Sequence, residues 1–189
     1  PSLACMVANS HALARYASIC QEVDIVPIVE PEVLMDGSHD IKKCFEVTNE
    51  MQSTLFEELD KLNIINSGII LKPNMVTPGS TCEKKASAEE IAESTVMCLG
   101  NNIPKDVPGI AFLSGGQSDQ DASNNLNFIN KINDNPWKLT FSYGRALQLE
   151  AMKKWQGNNN NKEEAQKILS KRAYLNSLAA SGNYDLEME

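Results

Sequence analysis

A lysine closes the apolar segment Ile69–Lys72 and is followed directly by Pro73. A run this apolar predicts a buried strand, and the proline after it ends the hydrogen-bond ladder. The amine of Lys72 would then lie at the mouth of a strand, partly surrounded by apolar side chains. Such surroundings favour the neutral, nucleophilic amine that Schiff-base chemistry on a carbonyl requires. The alternative is a lysine that packs its aliphatic stem on the apolar wall and keeps its charge in water.

Two carboxylates follow the apolar segment that ends at Val29: Glu30 and Glu32, with Pro31 between them. Residues two apart in an extended chain point to the same side, so both carboxylates should face the same space. Pro31 restricts Glu30 to extended backbone and stiffens the pair. A carboxylate beside a neutral lysine can move protons during imine formation. Acidic residues with proline also make ordinary polar exits from strands, and that interpretation stays open.

Two further segments combine small residues with groups that bind anions. Ser114–Gly116 lies between an apolar segment and a helix start, where glycines let backbone N–H groups approach an anion. Ser142–Arg145 follows the next apolar segment and adds a guanidinium, which suits bidentate contact with phosphate. A lone Ser-Gly-Gly is often only a tight turn. Two consecutive strand ends of this kind together predict a phosphate site.

The elements that must position these residues alternate along the chain. Four continuous apolar segments predict parallel strands covered on both faces: Ile25–Val29, Ile69–Leu71, Gly109–Leu113 and Leu139–Phe141. Helical spacing and capping residues predict six helices: Leu3–Glu22, Ser38–Leu62, Ser87 to about Leu99, one capped by Ser118 and Asp121, Gly144–Trp155, and Lys162 to about Ala180. This alternation is typical of a parallel α/β protein, here a single domain over residues 1–189.

Two parallel architectures fit this alternation. An open doubly wound sheet normally carries a glycine-rich phosphate loop after its first strand, but Glu30-Pro31-Glu32 occupies that place here. A (β/α)8 TIM barrel places its chemistry where strands end and loops begin, as the candidate residues do. The barrel is therefore favoured, with this chain supplying about the last four strand-helix units.

Composition limits the classes of function. The net charge of −8 argues against binding nucleic acid or anionic lipid. No apolar stretch reaches the roughly 20 residues that span a bilayer, and the first residues lack a charged signal-peptide start. The five cysteines are odd in number and widely spaced, and only two histidines accompany them, so neither a zinc site nor another metal cofactor is predicted. Reduced cysteines in a cytosolic protein fit this pattern.

Four segments together resemble the class I fructose-bisphosphate aldolase family: VPIVEPEVL (26–34), GIILKPNMVTPG (68–79), GIAFLSGGQS (109–118) and LTFSYGRALQ (139–148). The resemblance extends over nearly all of the chain. It implies a cytoplasmic, metal-independent lyase of glycolysis and gluconeogenesis. Such an enzyme cleaves fructose 1,6-bisphosphate to dihydroxyacetone phosphate and glyceraldehyde 3-phosphate. A homotetramer with a sugar-phosphate substrate is implied as well, and no nucleic-acid or membrane partner.

The resemblance also implies roles for particular residues. Lys72 would form the Schiff base with the ketose carbonyl, Glu30 would transfer protons, and Glu32 would support it. The phosphate next to the ketone carbon would be bound by Ser114, Gly115, Gly116, Ser142, Gly144 and Arg145. The protonated imine would take up the electron pair released when the bond between C3 and C4 breaks.

The chain departs from the family pattern at both ends. The family's first four barrel strands are not in this sequence, nor are the aspartate, lysines and arginines that they carry. The family's flexible tail ending in tyrosine is also absent. We therefore expect a fragment of a longer aldolase, with negligible turnover alone. The alternative is a non-catalytic relic that binds sugar phosphates or a protein. Another Schiff-base barrel lyase, such as a transaldolase, is disfavoured by the closeness of the four segments.

Overall fold

Six α-helices and four short strands alternate along the chain in the computed structural model, which describes residues 1–189. The strands are β1 (Ile28–Val29), β2 (Ile70–Leu71), β3 (Gly109–Phe112) and β4 (Lys138–Phe141). The helices are α1 (Leu3–Glu22), α2 (Ile41–Lys61), α3 (Ala88–Asn102), α4 (Asp119–Ile132), α5 (Arg145–Trp155) and α6 (Lys162–Ala179). Short 3-10 turns lie at Asn66–Gly68, Asn159–Asn161 and Leu186–Met188.

The four strands form one parallel sheet in the order β1-β2-β3-β4. Val29 lies opposite Leu71, and Leu71 lies opposite Ile110. Because each strand neighbours the next in sequence, the order contains no reversal of the kind that marks a doubly wound sheet. The helices pack side by side in chain order, α1 on α2, α2 on α3, α3 on α4 and α4 on α5. This sheet-and-helix order is that of consecutive units of a (β/α)8 barrel.

Local capping chemistry sets where the helices begin. Ser87 and Glu90 form a reciprocal capping box at the start of α3. The Ser118 hydroxyl accepts a hydrogen bond from the Asp121 N–H at the start of α4. Both caps were predicted. The predicted start of α2 at Ser38 is wrong, because the Asp40 side chain accepts from the Lys43 N–H and the helix begins at Ile41.

The first strand is shorter and less covered than predicted. Ile25 and Val26 lie outside β1 and are 57% and 59% exposed. Ile25 instead donates its N–H to the Cys20 carbonyl at the end of α1, so the chain is still leaving the helix there. Ile28 is half-exposed because β1 pairs with β2 alone and forms the edge of the sheet. The expectation of strands covered on both faces is therefore wrong for β1, and also for β4, where Lys138 and Thr140 are exposed.

One hydrophobic core of 26 buried residues lies between the sheet and the helices. Leu71, Ile110 and Phe112 are completely buried at its centre. Burying these side chains holds the strands in register, each contributing about 1.5–3 kcal/mol. No helix is both long enough and apolar enough to cross a membrane. The register brings the carboxyl ends of all four strands to one edge of the sheet.

Candidate active site

Lys72 and Glu30 meet at the carboxyl edge of the sheet. The Lys72 Nζ lies 3.0 Å from the Glu30 Oε1. The backbone sets this approach, because the Lys72 N–H donates to the Val29 carbonyl at 2.7 Å and extends the β1–β2 ladder by one residue. The Lys72 side chain is 20% exposed and the Glu30 side chain 43%. A lysine with a mostly buried side chain therefore has its amine within proton-transfer distance of a carboxylate that solvent can still reach.

Glu32 borders the same space as Glu30 without reaching the lysine. Both glutamates line a groove of about 800 Å³ that runs between α1 and α2. Glu32 forms none of the ion pairs in the chain. Lys72 does not line this groove. The structure thus separates two carboxylates that the sequence pattern treats alike, since only Glu30 contacts Lys72.

The Ser114–Gly116 segment forms an open cradle of backbone donors after β3. Gly115 has φ +57° and Gly116 has φ +81°, the left-handed region that a residue with a Cβ rarely adopts. The N–H groups of both glycines donate to no protein acceptor. Ser114 is buried, and its carbonyl accepts from both the backbone and the side chain of Gln117, each at 3.0 Å. Two successive free N–H groups held in this way can bind an anion.

The Ser142–Arg145 segment lies beside that cradle. The Ser142 N–H donates to the Phe112 carbonyl at 2.8 Å, so the β3–β4 ladder continues past β4. Arg145 is the first residue of α5, with Gly144 as its N-cap. The Arg145 Nη2 lies 3.8 Å from the position that a Cβ on Gly116 would occupy. Arg145 is exposed and belongs to no ion pair, so its charge is available to a ligand.

Tyr143 anchors this second segment to the core. Its hydroxyl donates to the Ala122 carbonyl of α4 at 2.9 Å, and the ring is buried. Burial raises the pKa of the Tyr143 hydroxyl, so it remains a neutral donor. The buried anchor holds the neighbouring Ser142, Gly144 and Arg145 in place without contributing a charge.

Three residues that support the site were not predicted from the sequence. Asn74 is buried and hydrogen-bonds to the segment that carries Glu30. Gln117 holds the Ser114 carbonyl and is itself held by Asn125, whose Nδ2 lies 2.6 Å from the Gln117 Oε1. Met35 places its sulfur 3.2 Å from where a Cβ on Gly116 would stand. Asn74 and Gln117 are polar residues within four positions of a predicted strand end, a pattern too common to be informative, and nothing in the sequence marks Met35.

The structure brings the predicted residues together at one edge of the sheet. A lysine amine and a carboxylate face each other at the ends of β2 and β1. Free backbone N–H groups and a guanidinium follow at the ends of β3 and β4. Chemically, an amine of this kind can form an imine with a carbonyl, and the neighbouring donors can hold an anionic group on the same molecule.

Known proteins resemble this chain over its whole length. Residues 1–189 match the family model described as fructose-bisphosphate aldolase class-I. The chain is 51% identical over 185 residues to a probable fructose-bisphosphate aldolase class 1 of Xanthomonas axonopodis pv. citri, covering 97% of this chain and 55% of the relative. It is 50% identical over 186 residues to fructose-bisphosphate aldolase C of Pan troglodytes, covering 98% of this chain and 51% of the relative.

A solved structure agrees in fold as well as in sequence. It is the fructose-bisphosphate aldolase of Plasmodium falciparum in complex with TRAP and a small molecule inhibitor. That chain superposes with a TM-score of 0.96 at 46% identity, covering 98% of this chain and 53% of the solved one. The predicted parallel α/β fold, about half of a TIM barrel, is thereby confirmed. The chain spans about half the length of the curated relatives it matches.

Proposed function

Because this chain belongs to the class I fructose-bisphosphate aldolase family, we propose that it carries the Schiff-base half of an aldolase active site. The reaction is cleavage of fructose 1,6-bisphosphate to dihydroxyacetone phosphate and glyceraldehyde 3-phosphate. The observation that carries the proposal is the 3.0 Å contact between the Lys72 amine and the Glu30 carboxylate. The substrate class follows from the homologous proteins, which are fructose-bisphosphate aldolases.

Lys72 and Glu30 account for formation of the imine. Glu30 takes a proton from Lys72, and the free amine attacks the C2 carbonyl of the substrate to form a carbinolamine. Glu30 then returns that proton to the carbinolamine hydroxyl, which leaves as water, and the iminium forms. General acid–base help of this kind contributes roughly 10²–10⁴-fold to the rate. The 3.0 Å separation of the Lys72 Nζ and the Glu30 Oε1 supports the first of these transfers.

The iminium accounts for cleavage. Glu30, again a carboxylate, removes the proton from the C4 hydroxyl, and the bond between C3 and C4 breaks. Its electron pair moves into the iminium, so glyceraldehyde 3-phosphate leaves as an aldehyde and an enamine remains on Lys72. Protonation of the enamine at C3 and addition of water release dihydroxyacetone phosphate and the free amine. The lysine itself provides the electron sink for this chemistry.

The glycine cradle and Arg145 hold the phosphate next to the ketone. The N–H groups of Gly115 and Gly116 are free, and the unpaired guanidinium of Arg145 comes within 3.8 Å of the position that a Cβ on Gly116 would occupy. Charge-assisted hydrogen bonds of this kind are about twice as strong as neutral ones. Ser114, Ser142 and Gly144 complete the wall of the cradle. Glu32 has no cation partner in the chain and supports Glu30 from the groove that both glutamates line.

The proposal also covers the oligomeric state of the protein and its location in the cell. We assign the protein to the cytoplasm as a homotetramer, with a sugar phosphate as its substrate, on the basis of family membership. Light scattering coupled to size exclusion tests the oligomer directly. A monomer at micromolar concentration would contradict the assignment of a tetramer to this chain.

Covalent trapping tests the proposed chemistry on the chain itself. The 189-residue protein is incubated with dihydroxyacetone phosphate, reduced with borohydride and mapped by peptide mass spectrometry. We expect one adduct, on Lys72, and none in Lys72→Met. The matched control is Lys138→Met, since Lys138 lies on β4 of the same sheet but at its amino end. That variant should label as the wild type does. No adduct on the folded wild type, with phosphate still bound, would instead favour a non-catalytic sugar-phosphate binder.

A further inference from the structure

Asn74 joins the segment after Lys72 to the segment after Glu30. Its side chain is buried, with 6% of the residue exposed. The Asn74 Oδ1 accepts a hydrogen bond from the Val33 N–H at 3.0 Å. The Asn74 Nδ2 donates to the Thr48 Oγ1 on α2 and to the Met75 carbonyl, each at 3.1 Å. One amide therefore holds three elements together at the carboxyl edge of the sheet.

The bond to Val33 begins where the ladder between β1 and β2 ends. The last backbone bond of that ladder runs from the Lys72 N–H to the Val29 carbonyl. Beyond it, the next hydrogen bond between the two segments is the one that the Val33 N–H donates to the Asn74 Oδ1. The other bonds between the two loops lie further along, at residues 79–81. Glu30 thus sits between two anchor points, Val29 on one side and Val33 on the other.

The chemistry of the amide matters as well as its volume. An apolar side chain could fill the same space, but it could neither accept from Val33 nor donate to Thr48. A buried N–H left without a partner costs about 1–3 kcal/mol. The free segment would relieve that cost by moving toward water, and Glu30 would move with it because Pro31 couples the two.

We propose that Asn74 is a positioning residue that holds Glu30 against Lys72, and this inference rests on the proposed function. Asn74 does not touch the substrate. It keeps the carboxylate at proton-transfer distance, where a displacement of about 1 Å can change a rate by two orders of magnitude. The proposal therefore predicts that Asn74 and Glu30 act as one unit in imine formation.

A double-mutant cycle tests that coupling. The readout is the initial rate of borohydride-trapped labelling of Lys72 by dihydroxyacetone phosphate in the 189-residue protein. We expect Glu30→Gln to lower this rate by about 10²-fold in the wild type. Asn74→Ala alone should lower it nearly as much, by roughly 30-fold or more. In the Asn74→Ala background, Glu30→Gln should then lower it by less than about threefold, because the carboxylate has already left the amine.

Asn127 provides a matched control. It is a buried asparagine whose Oδ1 also accepts from a backbone N–H, that of Tyr184, at 3.0 Å. It lies on α4, away from Lys72. Asn127→Ala should lower the melting temperature as Asn74→Ala does. In its background, however, Glu30→Gln should keep its full effect on labelling.

A gentler variant covers the case in which Asn74→Ala does not fold. Thr48→Val removes the acceptor on α2 and leaves the bond to Val33, so it should weaken the coupling in the same direction. If Glu30→Gln has the same effect in the wild type and in the Asn74→Ala, Thr48→Val and Asn127→Ala backgrounds, the positioning role is overturned while the proposed function stays in place. No labelling of the folded wild type would overturn both.

Discussion

Gly116→Ala separates the cost of backbone strain from the loss of a binding site. Gly116 has φ +81°, and a Cβ there would lie 3.2 Å from the Met35 sulfur and 3.8 Å from the Arg145 Nη2. The methionine sulfur is part of a flexible side chain and can move aside, so the backbone strain dominates. A non-glycine residue in the left-handed region costs about 1–2 kcal/mol. For a chain of this size that is a fall of roughly 2–8 °C in melting temperature.

The same substitution should also weaken phosphate binding. The new methyl group would lie on the cradle itself, 3.8 Å from the Arg145 Nη2. Losing one charge-assisted hydrogen bond costs about 1.5–3 kcal/mol, which is at least roughly tenfold in dissociation constant. The assay is titration with inorganic phosphate and with dihydroxyacetone phosphate, followed by calorimetry or phosphorus NMR, together with urea unfolding of the same samples.

Gly157→Ala is the matched control, because Gly157 has φ +71° and nothing within 4 Å of a Cβ. Both variants should lose similar stability, since both force alanine into the same backbone region. Only Gly116→Ala should lose phosphate affinity. If the two variants bind phosphate equally well while both are destabilised, the cradle does not bind phosphate as assigned.

Three further predictions concern proton transfer, a buried charge and thiol reactivity. Glu30→Gln should slow the labelling of Lys72 by about 10²-fold. Glu32→Gln should slow it less, since Glu32 forms no ion pair with Lys72. Equal rates in the two variants would contradict the assignment of proton transfer to Glu30. Arg172→Met should lower the urea-measured free energy of unfolding by about 1–3 kcal/mol, because it leaves the partly exposed carboxylates of Asp119 and Glu189 without their cation. A change under about 1 kcal/mol would be inconsistent with that network. Burial raises the pKa of the Cys98 thiol to about 12, so its reactive thiolate is scarce below that pH. Iodoacetamide at pH 8 should therefore modify exposed Cys5 first, and early alkylation of Cys98 in the folded protein would refute this.

The helices and their caps were predictable because they depend on nearby residues. Ser87 and Ser118 cap helices through bonds to residues three positions later, and the structure has both. The predicted start of α2 was wrong because two residues that can cap a helix, Ser38 and Asp40, lie close together. Only the structure shows that Asp40 accepts the capping hydrogen bond. The predicted length of β1 was wrong because apolar content cannot distinguish a strand from the residues that follow the end of a helix. Ile25 bonds back to α1 rather than across to β2.

The sequence indicated which residues lie near the candidate site better than it indicated which of them contact one another. Lys72, Glu30 and the Ser114–Gly116 segment each follow a strand, and parallel strands end at a common edge. Asn74 was not predicted because its partners, Val33 and Thr48, belong to other elements. No local pattern marks an asparagine whose partners come from distant segments.

By itself, the sequence determined the family, the alternation of strands with helices and the residue types at each strand end. Those properties depend on the order of side chains along one segment, which folding does not alter. The family resemblance also favoured Glu30 over Glu32 for proton transfer, but only the tertiary structure shows the contact that Glu30 makes with the amine. Glu30 and Glu32 are equivalent in a strand's two-residue period, yet only Glu30 lies 3.0 Å from Lys72. The physical reason is register: the pairing of Val29 with Leu71 is a contact between segments distant in sequence, and it sets the separation of every group that follows.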